Sequence, residues 1–202
     1  MFDLQRILHV IPGILLGLTV HEFCHAFAAW KLGDSTARDQ GRLTLNPLRH
    51  IDPMGFLFII FAGFGWAKPV QFDPGQLRNF RRDKALIAAA GPLSNFALGV
   101  LLVYIVKAML HFGSGSSGIF ISILFSAAFI NFALFVFNLI PIPPLDGSHI
   151  VFSGLNFKPE TENIFRKIGV PALFVILIVQ NFTNITILPI GAIVTAIMNF
   201  FI

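Results

Sequence analysis

Four apolar stretches dominate this sequence, and each is about as long as a lipid bilayer is thick. A transmembrane helix needs roughly 20 apolar residues. The stretches that reach or approach this length are 7–30, 85–110, 119–142 and 168–189. Only 12% of the 202 residues are charged, against about 25% in a typical soluble domain. The sequence therefore predicts an all-α, polytopic membrane protein with about four to six transmembrane helices, formed as a single domain over 1–202.

A shorter apolar segment, 54–67, lies between the first two of these stretches. Three glycines interrupt it, and it is too short to cross a bilayer comfortably, so its length better fits a re-entrant segment. We also expect a strand in "GRLTLNP" (41–47) and a short helix at 145–155. Whether the C-terminal part, 168–202, contains one membrane helix or two stays open.

The net charge of +4 does not indicate a nucleic-acid partner. Lysine and arginine are concentrated in two segments between the apolar stretches, 31–53 and 68–84. Cytoplasmic loops of membrane proteins carry such an excess of basic residues. We therefore place both segments on the cytoplasmic side.

The first apolar stretch contains "HEFCH", with ionisable side chains where charge is costly. On a helix, residues i and i+4 share a face, so His21 and His25 can bind one zinc ion. Glu22 lies close enough to take a proton from a water at the metal. Cys24 points away from the His21–His25 face and is not expected to be a ligand. The alternative is that the histidines only pack helices together, but three ionisable residues at this spacing favour metal chemistry.

A catalytic zinc site takes a third protein ligand and keeps one position open. The best candidate is Asp146, which follows the third apolar stretch in "FNLIPIPPLDGSH". Pro141, Pro143 and Pro144 break the helix ahead of it, and Gly147 would permit an unusual backbone angle. The alternative is that Asp146 caps a helix near the membrane interface.

Two asparagines complete the polar set. An amide can donate a hydrogen bond to a developing oxyanion, or it can hold two membrane helices together. Asn95, in "AAAGPLSNFALG", is predicted to stabilise the oxyanion. For Asn138 the two interpretations are about equal. His50 could approach the site or cap the turn before Asp52 and Pro53, and we favour the structural role.

Three motifs, in this order, resemble the site-2 protease family of intramembrane zinc metalloproteases, peptidase family M50. They are H-E-x-x-H at 21–25, G-P-x-x-N at 91–95 and N-x-x-P-x-x-x-L-D-G at 138–147, and the core that carries them is 17–150. "NPLRHIDPMG" and "GWAKPV", between the first two motifs, resemble the compact branch of the family, which has no PDZ domain.

The resemblance implies a zinc metalloendopeptidase with one Zn²⁺ per chain that cleaves transmembrane protein substrates in the lipid bilayer. It implies His21, His25 and Asp146 as zinc ligands and Glu22 as the catalytic acid and base. It also implies Asn95 and Asn138 as supporting polar groups near the site. We expect a multi-pass protein of the plasma membrane with its active site towards the cytoplasm. An edge of the expected strand at 41–47 could bind an extended peptide by strand addition.

Two functions without proteolysis stay open. A divalent-metal transporter would also bury histidine and aspartate in the membrane, but it would not need Glu22. A catalytically inactive scaffold would be expected to carry a damaged motif, and the motifs of this sequence are intact.

Overall fold

The computed structural model of the chain describes residues 4–62, 64–112, 118–155, 157–183 and 185–202, with the side chains of 4–8 and 62 left aside. Within these residues the chain forms eight α-helices and two short 3-10 turns, at Pro47–Arg49 and Pro74–Gln76. The helices are α1 (Leu4–Lys31), α2 (Thr36–Asp39), α3 (Pro53–Ala62), α4 (Phe80–Phe112), α5 (Gly118–Asn138), α6 (Asp146–Gly154), α7 (Pro159–Phe182) and α8 (Ile190–Phe201).

Three helices of the described part are long and apolar enough to cross a membrane. They are α1 from His9 onwards, α4 and α5, and they coincide with the first three predicted stretches. The prediction of an all-α membrane protein is therefore confirmed. The fourth predicted stretch falls in α7 and the residues after it, and α7 is not among these three helices. The first turns of α7 carry Glu160, Glu162, Arg166 and Lys167.

Helices α1, α4 and α5 pack against one another, and α8 lies against α5 and α4. Phe132 of α5 and Val194 of α8 are completely buried in the core between them. Large apolar side chains also cover the outward faces, for example Leu101 of α4 and Phe120 of α5. Helices that are apolar all round are typical of membrane spans.

Gly13 and Gly17 of α1 let this helix approach α5 closely. A Cβ atom at Gly13 would lie 2.7 Å from the Cα of Ala127, and one at Gly17 would lie 3.1 Å from Oδ1 of Asn131. Small residues four positions apart form such contacts between membrane helices because they let the backbones meet. This glycine seam, Gly13 with Gly17, fixes the distance between α1 and α5.

The strand predicted for "GRLTLNP" does not form. Gly41 has a φ of +69°, which turns the chain at the start of this segment. At its other end, Asn46 Oδ1 accepts a hydrogen bond from the backbone N–H of Leu48 and starts the first 3-10 turn. Turn-forming residues at both ends thus prevent the predicted strand. β-type pairing occurs nearby as a bridge between Ile51 and Ala67.

The predicted re-entrant segment runs out as α3 and comes back beside it. A Cβ atom at Gly55 would lie 2.9 Å from the carbonyl carbon of Trp66, and one at Gly65 would lie 2.6 Å from Cγ1 of Ile59. We call residues 64–73 the return segment. Its indole at Trp66 packs on Phe174 of α7, with ring centroids 6.0 Å apart.

Candidate metal centre

Three ligand atoms converge between α1 and the start of α6. The Nε2 atoms of His21 and His25 lie 2.9 Å apart. Oδ2 of Asp146 lies 3.1 Å from Nε2 of His21 and 3.3 Å from Nε2 of His25. Both histidines are buried. The structure therefore brings together the three residues that the sequence nominates as metal ligands.

The outer nitrogen of each histidine has its own acceptor. Nδ1 of His21 donates to Oδ1 of Asn95 at 2.6 Å, and Nδ1 of His25 donates to the carbonyl of Ile87 at 2.7 Å. Each Nδ1 thus carries a hydrogen, and in the neutral ring each Nε2 presents a lone pair. Oδ2 of Asp146 is buried and has no hydrogen-bond partner in the described part of the chain.

Three lone pairs that face one another need a cation between them. Two imidazole nitrogens and one carboxylate oxygen are a usual protein ligand set of a catalytic zinc ion, with the fourth position left open. Hydrogen bonds from the far ring nitrogens to fixed acceptors are typical of metal-binding histidines. The donor set thus fits Zn²⁺.

The structure does not support the alternative of Asp146 as a helix cap. Asp146 is the first residue of α6, the N-cap position belongs to Leu145, and no side-chain cap hydrogen bond forms.

The short helix predicted at 145–155 is confirmed as α6. Gly147 lies inside it, without a positive φ, and the prediction of an unusual angle is wrong. Its role is spatial, because a Cβ atom there would lie 2.7 Å from the carbonyl oxygen of Ile140.

Glu22 is buried next to this ligand set. Its Oε2 accepts a hydrogen bond from the backbone N–H of Val70, in the return segment, at 3.0 Å. Glu22 and the three ligand residues line one cavity of about 400 Å³. The other walls come from α4, α5, α6 and the return segment. They include Trp66, Pro69, Val70, Phe72, Lys84, Ile87, Leu134, Asn138 and His149.

Asn95 lies behind His21 and does not line the cavity. It is completely buried, and its Nδ2 donates to the carbonyl of Gly17 at 3.0 Å and to Oδ1 of Asn131 at 2.9 Å. Both amide hydrogens are therefore used, and Oδ1 holds the imidazole. This geometry supports a role in orienting His21 and not the predicted contact with an oxyanion.

The remaining predicted positions divide between the cavity and its surroundings. Asn138 lines the cavity, and its Nδ2 donates to the carbonyl of Leu134 in the same helix at 2.9 Å. Cys24 is half-buried and is not one of the converging ligands. His50 is fully buried, and its Nε2 donates to the carbonyl of Thr44 at 2.7 Å, which supports the structural role.

Gly91, from the second motif, lets α4 touch both histidines. A Cβ atom at this position would lie 2.6 Å from Cε1 of His25 and 2.7 Å from Cε1 of His21. The glycine of G-P-x-x-N therefore provides the space that the two imidazole rings occupy.

The loops outside the helices hold the return segment in place. Nη2 of Arg42, a buried side chain, donates to the carbonyl of Lys68, and the carbonyl of His50 accepts from the N–H of Lys68 at 2.8 Å. Oδ2 of Asp34 accepts from the N–H of Asp73 at 2.7 Å. Burial lowers the pKa of His50 below its ordinary value, and the neighbouring charge of Arg42 acts in the same direction.

Sequence reasoning missed three contributors to the site. Asn131 binds Asn95, the N–H of Val70 binds Glu22, and Lys84 forms an ion pair with Glu162 of α7 at 2.6 Å. The apolar stretch 119–142 contains a second asparagine besides Asn138, and a polar residue in such a stretch is a signal that could have identified Asn131. A backbone N–H has no sequence signature.

Comparison with known proteins places the chain in a family. The model of "Peptidase family M50" matches residues 108–180. The chain is 38% identical, over 157 residues, to the "Putative zinc metalloprotease YwhC" of Bacillus subtilis, covering 74% of this chain and 70% of that protein. The chain belongs to peptidase family M50.

Two further relatives of this M50 chain are mycobacterial. The "Putative zinc metalloprotease Rip2" of Mycolicibacterium smegmatis is 36% identical over 158 residues, and that of Mycobacterium tuberculosis is 35% identical over 158 residues. Each match covers 76% of this chain and 59% of the relative, so the chain spans about three fifths of their length. No solved structure is significantly similar to the chain. The prediction of a zinc metallopeptidase of the site-2 protease type is confirmed at the level of the family.

Proposed function

We propose that this membrane protein hydrolyses peptide bonds in or near transmembrane segments of other membrane proteins, as a zinc metalloprotease with one Zn²⁺ per chain. The ligands are His21, His25 and Asp146, and Glu22 is the general base. The observation that carries the proposal is the position of Glu22. Its carboxylate and the three ligand atoms face one cavity.

Zinc, when bound, supplies a Lewis acid for the scissile carbonyl and makes a water acidic enough to react at neutral pH. The chain itself must move the proton. Glu22 takes it from the attacking water and later gives it to the leaving amine. Its hydrogen bond from the N–H of Val70 holds one carboxylate oxygen, and the second oxygen then serves the proton transfer.

The histidines are kept in the form that this chemistry requires. The acceptors on Asn95 and Ile87 hold the hydrogen of each ring on Nδ1, so that both Nε2 atoms are available for the metal. Asn138, at the cavity wall, is the remaining amide that could face a developing oxyanion.

The substrate must enter the cavity as an extended chain. Backbone hydrogen bonds shield the peptide bonds of a helix, so a substrate helix has to unwind locally, and residues of low helix propensity favour this step. The return segment forms one side of the cavity and is the backbone beside which an extended peptide would lie. We propose a plasma-membrane location, and the basic segments 31–53 and 68–84 support an orientation with the site towards the cytoplasm.

The test compares wild type with Glu22→Gln, both purified in detergent, for zinc content and for cleavage of synthetic transmembrane peptides read by mass spectrometry. The peptide panel includes a leucine-only helix and the same helix with central glycine and asparagine. We expect about one zinc per chain in both proteins, on the ligand count of a catalytic site, and cleavage of the weakened helices by wild type alone. Zinc without cleavage by wild type over the whole panel would favour a transporter or scaffold. An absence of zinc in both proteins would contradict the metal site.

A further inference from the structure

Asn131 is a completely buried amide in the middle of α5, one of the three helices able to cross a membrane. A polar side chain in such a position is costly unless its hydrogen bonds are satisfied. Nδ2 of Asn131 donates to the carbonyl of Ala127 at 2.8 Å, and Oδ1 accepts from Nδ2 of Asn95 at 2.9 Å. Asn131 lies outside the cavity and contacts neither the ligand atoms nor Glu22 directly.

Backbone carbonyls set the direction of the hydrogen bonds that connect Asn131, Asn95 and His21. The carbonyl of Ala127 can only accept, so the NH₂ group of Asn131 must face it, and Oδ1 must face Asn95. Asn95 then has to present its own NH₂ group to Asn131 and to the carbonyl of Gly17. Its Oδ1 is left for His21, and Nδ1 of His21 must carry the hydrogen.

The two histidines differ in how their hydrogen is fixed. The acceptor of His25 is the carbonyl of Ile87, which cannot be reversed. The acceptor of His21 is an amide, and an amide rotated by half a turn presents hydrogens in place of oxygen. Nδ1 of His21 would then become the acceptor, and Nε2 would carry the hydrogen and could not bind a metal. The orientation of Asn95 therefore needs a lock.

We propose that Asn131 is this lock, a positioning residue that keeps Asn95 oriented so that Nε2 of His21 is free for the metal. The inference rests on the proposed zinc site, and it adds a residue of the neighbouring helix to it. With Asn131 present, a rotated Asn95 would bring its oxygen against the oxygens of both Asn131 and Gly17. Without Asn131, one of these two repulsive contacts disappears.

The experiment is a double-mutant cycle with zinc affinity as the readout. Wild type, Asn131→Leu, Asn95→Leu and the double variant are purified in detergent, and zinc binding is measured by competition with a chelator. Loss of a group that orients a ligand costs about 10–100-fold in metal affinity. We expect Asn131→Leu to weaken zinc binding by about tenfold, the low end of that range. In the Asn95→Leu background the same change should have no further effect, because the connection is already broken.

A second readout does not depend on bound metal. Nitrogen NMR of the zinc-free proteins with labelled histidine reports which ring nitrogen of His21 carries the hydrogen. Wild type should show a hydrogen on Nδ1 of His21, and Asn131→Leu should show a fraction of His21 without it. Phe132→Leu, the next residue of α5, is the matched control, since it loosens the same helix interface without touching the amides. It should lower thermal stability and leave the zinc affinity and the NMR signals unchanged.

The outcomes separate the two proposals. No zinc binding by wild type would overturn the proposed function. Zinc binding by wild type with an equal affinity in Asn131→Leu would overturn the role of Asn131 alone. An equal loss from Asn131→Leu in both backgrounds would also overturn it, because Asn131 would then act only through the general stability of the bundle.

Discussion

The backbone N–H of Val70 donates to Oε2 of Glu22 across 3.0 Å, and this contact joins the return segment to the HEFCH helix. The loop side chains that hold the return segment therefore also bear on the general base. Of these side chains, Arg42 contacts the return segment closest to Val70, because it binds the carbonyl of Lys68, two residues before Val70.

Arg42→Gln should reduce cleavage while zinc stays bound. The shorter side chain releases the carbonyl of Lys68, so that the N–H of Val70 and with it Glu22 lose their fixed position. A misplacement of about 1 Å costs up to about 100-fold in rate, so we expect a loss in kcat of at least tenfold by that scale. Arg38→Gln is the control, since Arg38 is half-exposed and pairs with Asp39. Equal activities of the two variants would contradict the coupling.

Zinc should stabilise the folded protein through the three converging ligand atoms. At free zinc a hundredfold above the dissociation constant, binding adds about 2.7 kcal/mol to the free energy of unfolding. Thermal unfolding of wild type in detergent should shift to lower temperature with a chelator and recover with added zinc. Asp146→Asn should show neither shift. A chelator response that is as large in this variant as in wild type would place the metal elsewhere.

Gly91→Ala should displace both histidines. The new methyl group would lie 2.6 Å from Cε1 of His25, so the ring or the helix has to move. Overpacking of this kind costs about 1–3 kcal/mol of stability, and zinc affinity should fall with it. Gly191→Ala in α8, where nothing lies within 4 Å of the added atom, is the matched control. It should leave the zinc affinity unchanged, and a comparable loss in both variants would argue against steric displacement.

Lys84 and Glu162 should be coupled in stability. Their ion pair joins α4 to α7 and is largely buried, with side chains exposed by 7% and 19%. Removing one partner leaves a buried charge without compensation, at a cost of about 3 kcal/mol or more. We expect Lys84→Met and Glu162→Gln each to lower the unfolding temperature, and the double variant to lower it less than the sum. Strict additivity would mean that the pair contributes nothing as a pair.

His50 should make the stability depend on pH. Burial lowers its pKa in the folded protein, and the charge of Arg42 adds to this effect, while the hydrogen bond to Thr44 and the charge of Glu22 oppose it. The unfolded chain, with an ordinary pKa of about 6.5, therefore binds the proton first as the pH falls. The contribution to stability is complete above about pH 6.5. It declines below this pH, towards the lower pKa of the folded state. Thermal unfolding between pH 8 and 5 should decline more steeply for wild type than for His50→Gln, which keeps a side-chain donor for Thr44. Parallel curves for wild type and His50→Gln would contradict this role of His50 in the pH dependence of stability.

The ligand set could be predicted from the types of its residues and their spacing. Histidines at i and i+4 share a helix face whatever surrounds them. An aspartate at the end of an apolar stretch is unusual and therefore indicates a function. The role of Asn95 could not be predicted in the same way. Its partner depends on the register of α4 against α1, and the contacts of Gly17 and Gly91 set that register only in the folded bundle.

The loop segments were harder to predict for a different reason. Alternating apolar residues in 41–47 favour a strand, but Gly41 and Asn46 introduce turns that this alternation does not reveal. The extended partner of Ile51 is Ala67, which becomes its neighbour only because the return segment runs back beside α3. Pairing across such a reversal depends on where the helix ends, and the sequence leaves that point poorly defined.

The glycine seam has a consequence for genetics. Gly17 and Gly13 lie about one and two helical turns before His21 on the same helix. A larger residue at either position would push α1 away from α5 and carry the histidines out of reach of Asp146 and Asn95. In a screen for lost activity, such alleles would be scored as active-site mutations, although neither glycine supplies a ligand atom. The cause of the lost activity would be the changed distance between α1 and α5, and not a change in the chemistry of the cavity.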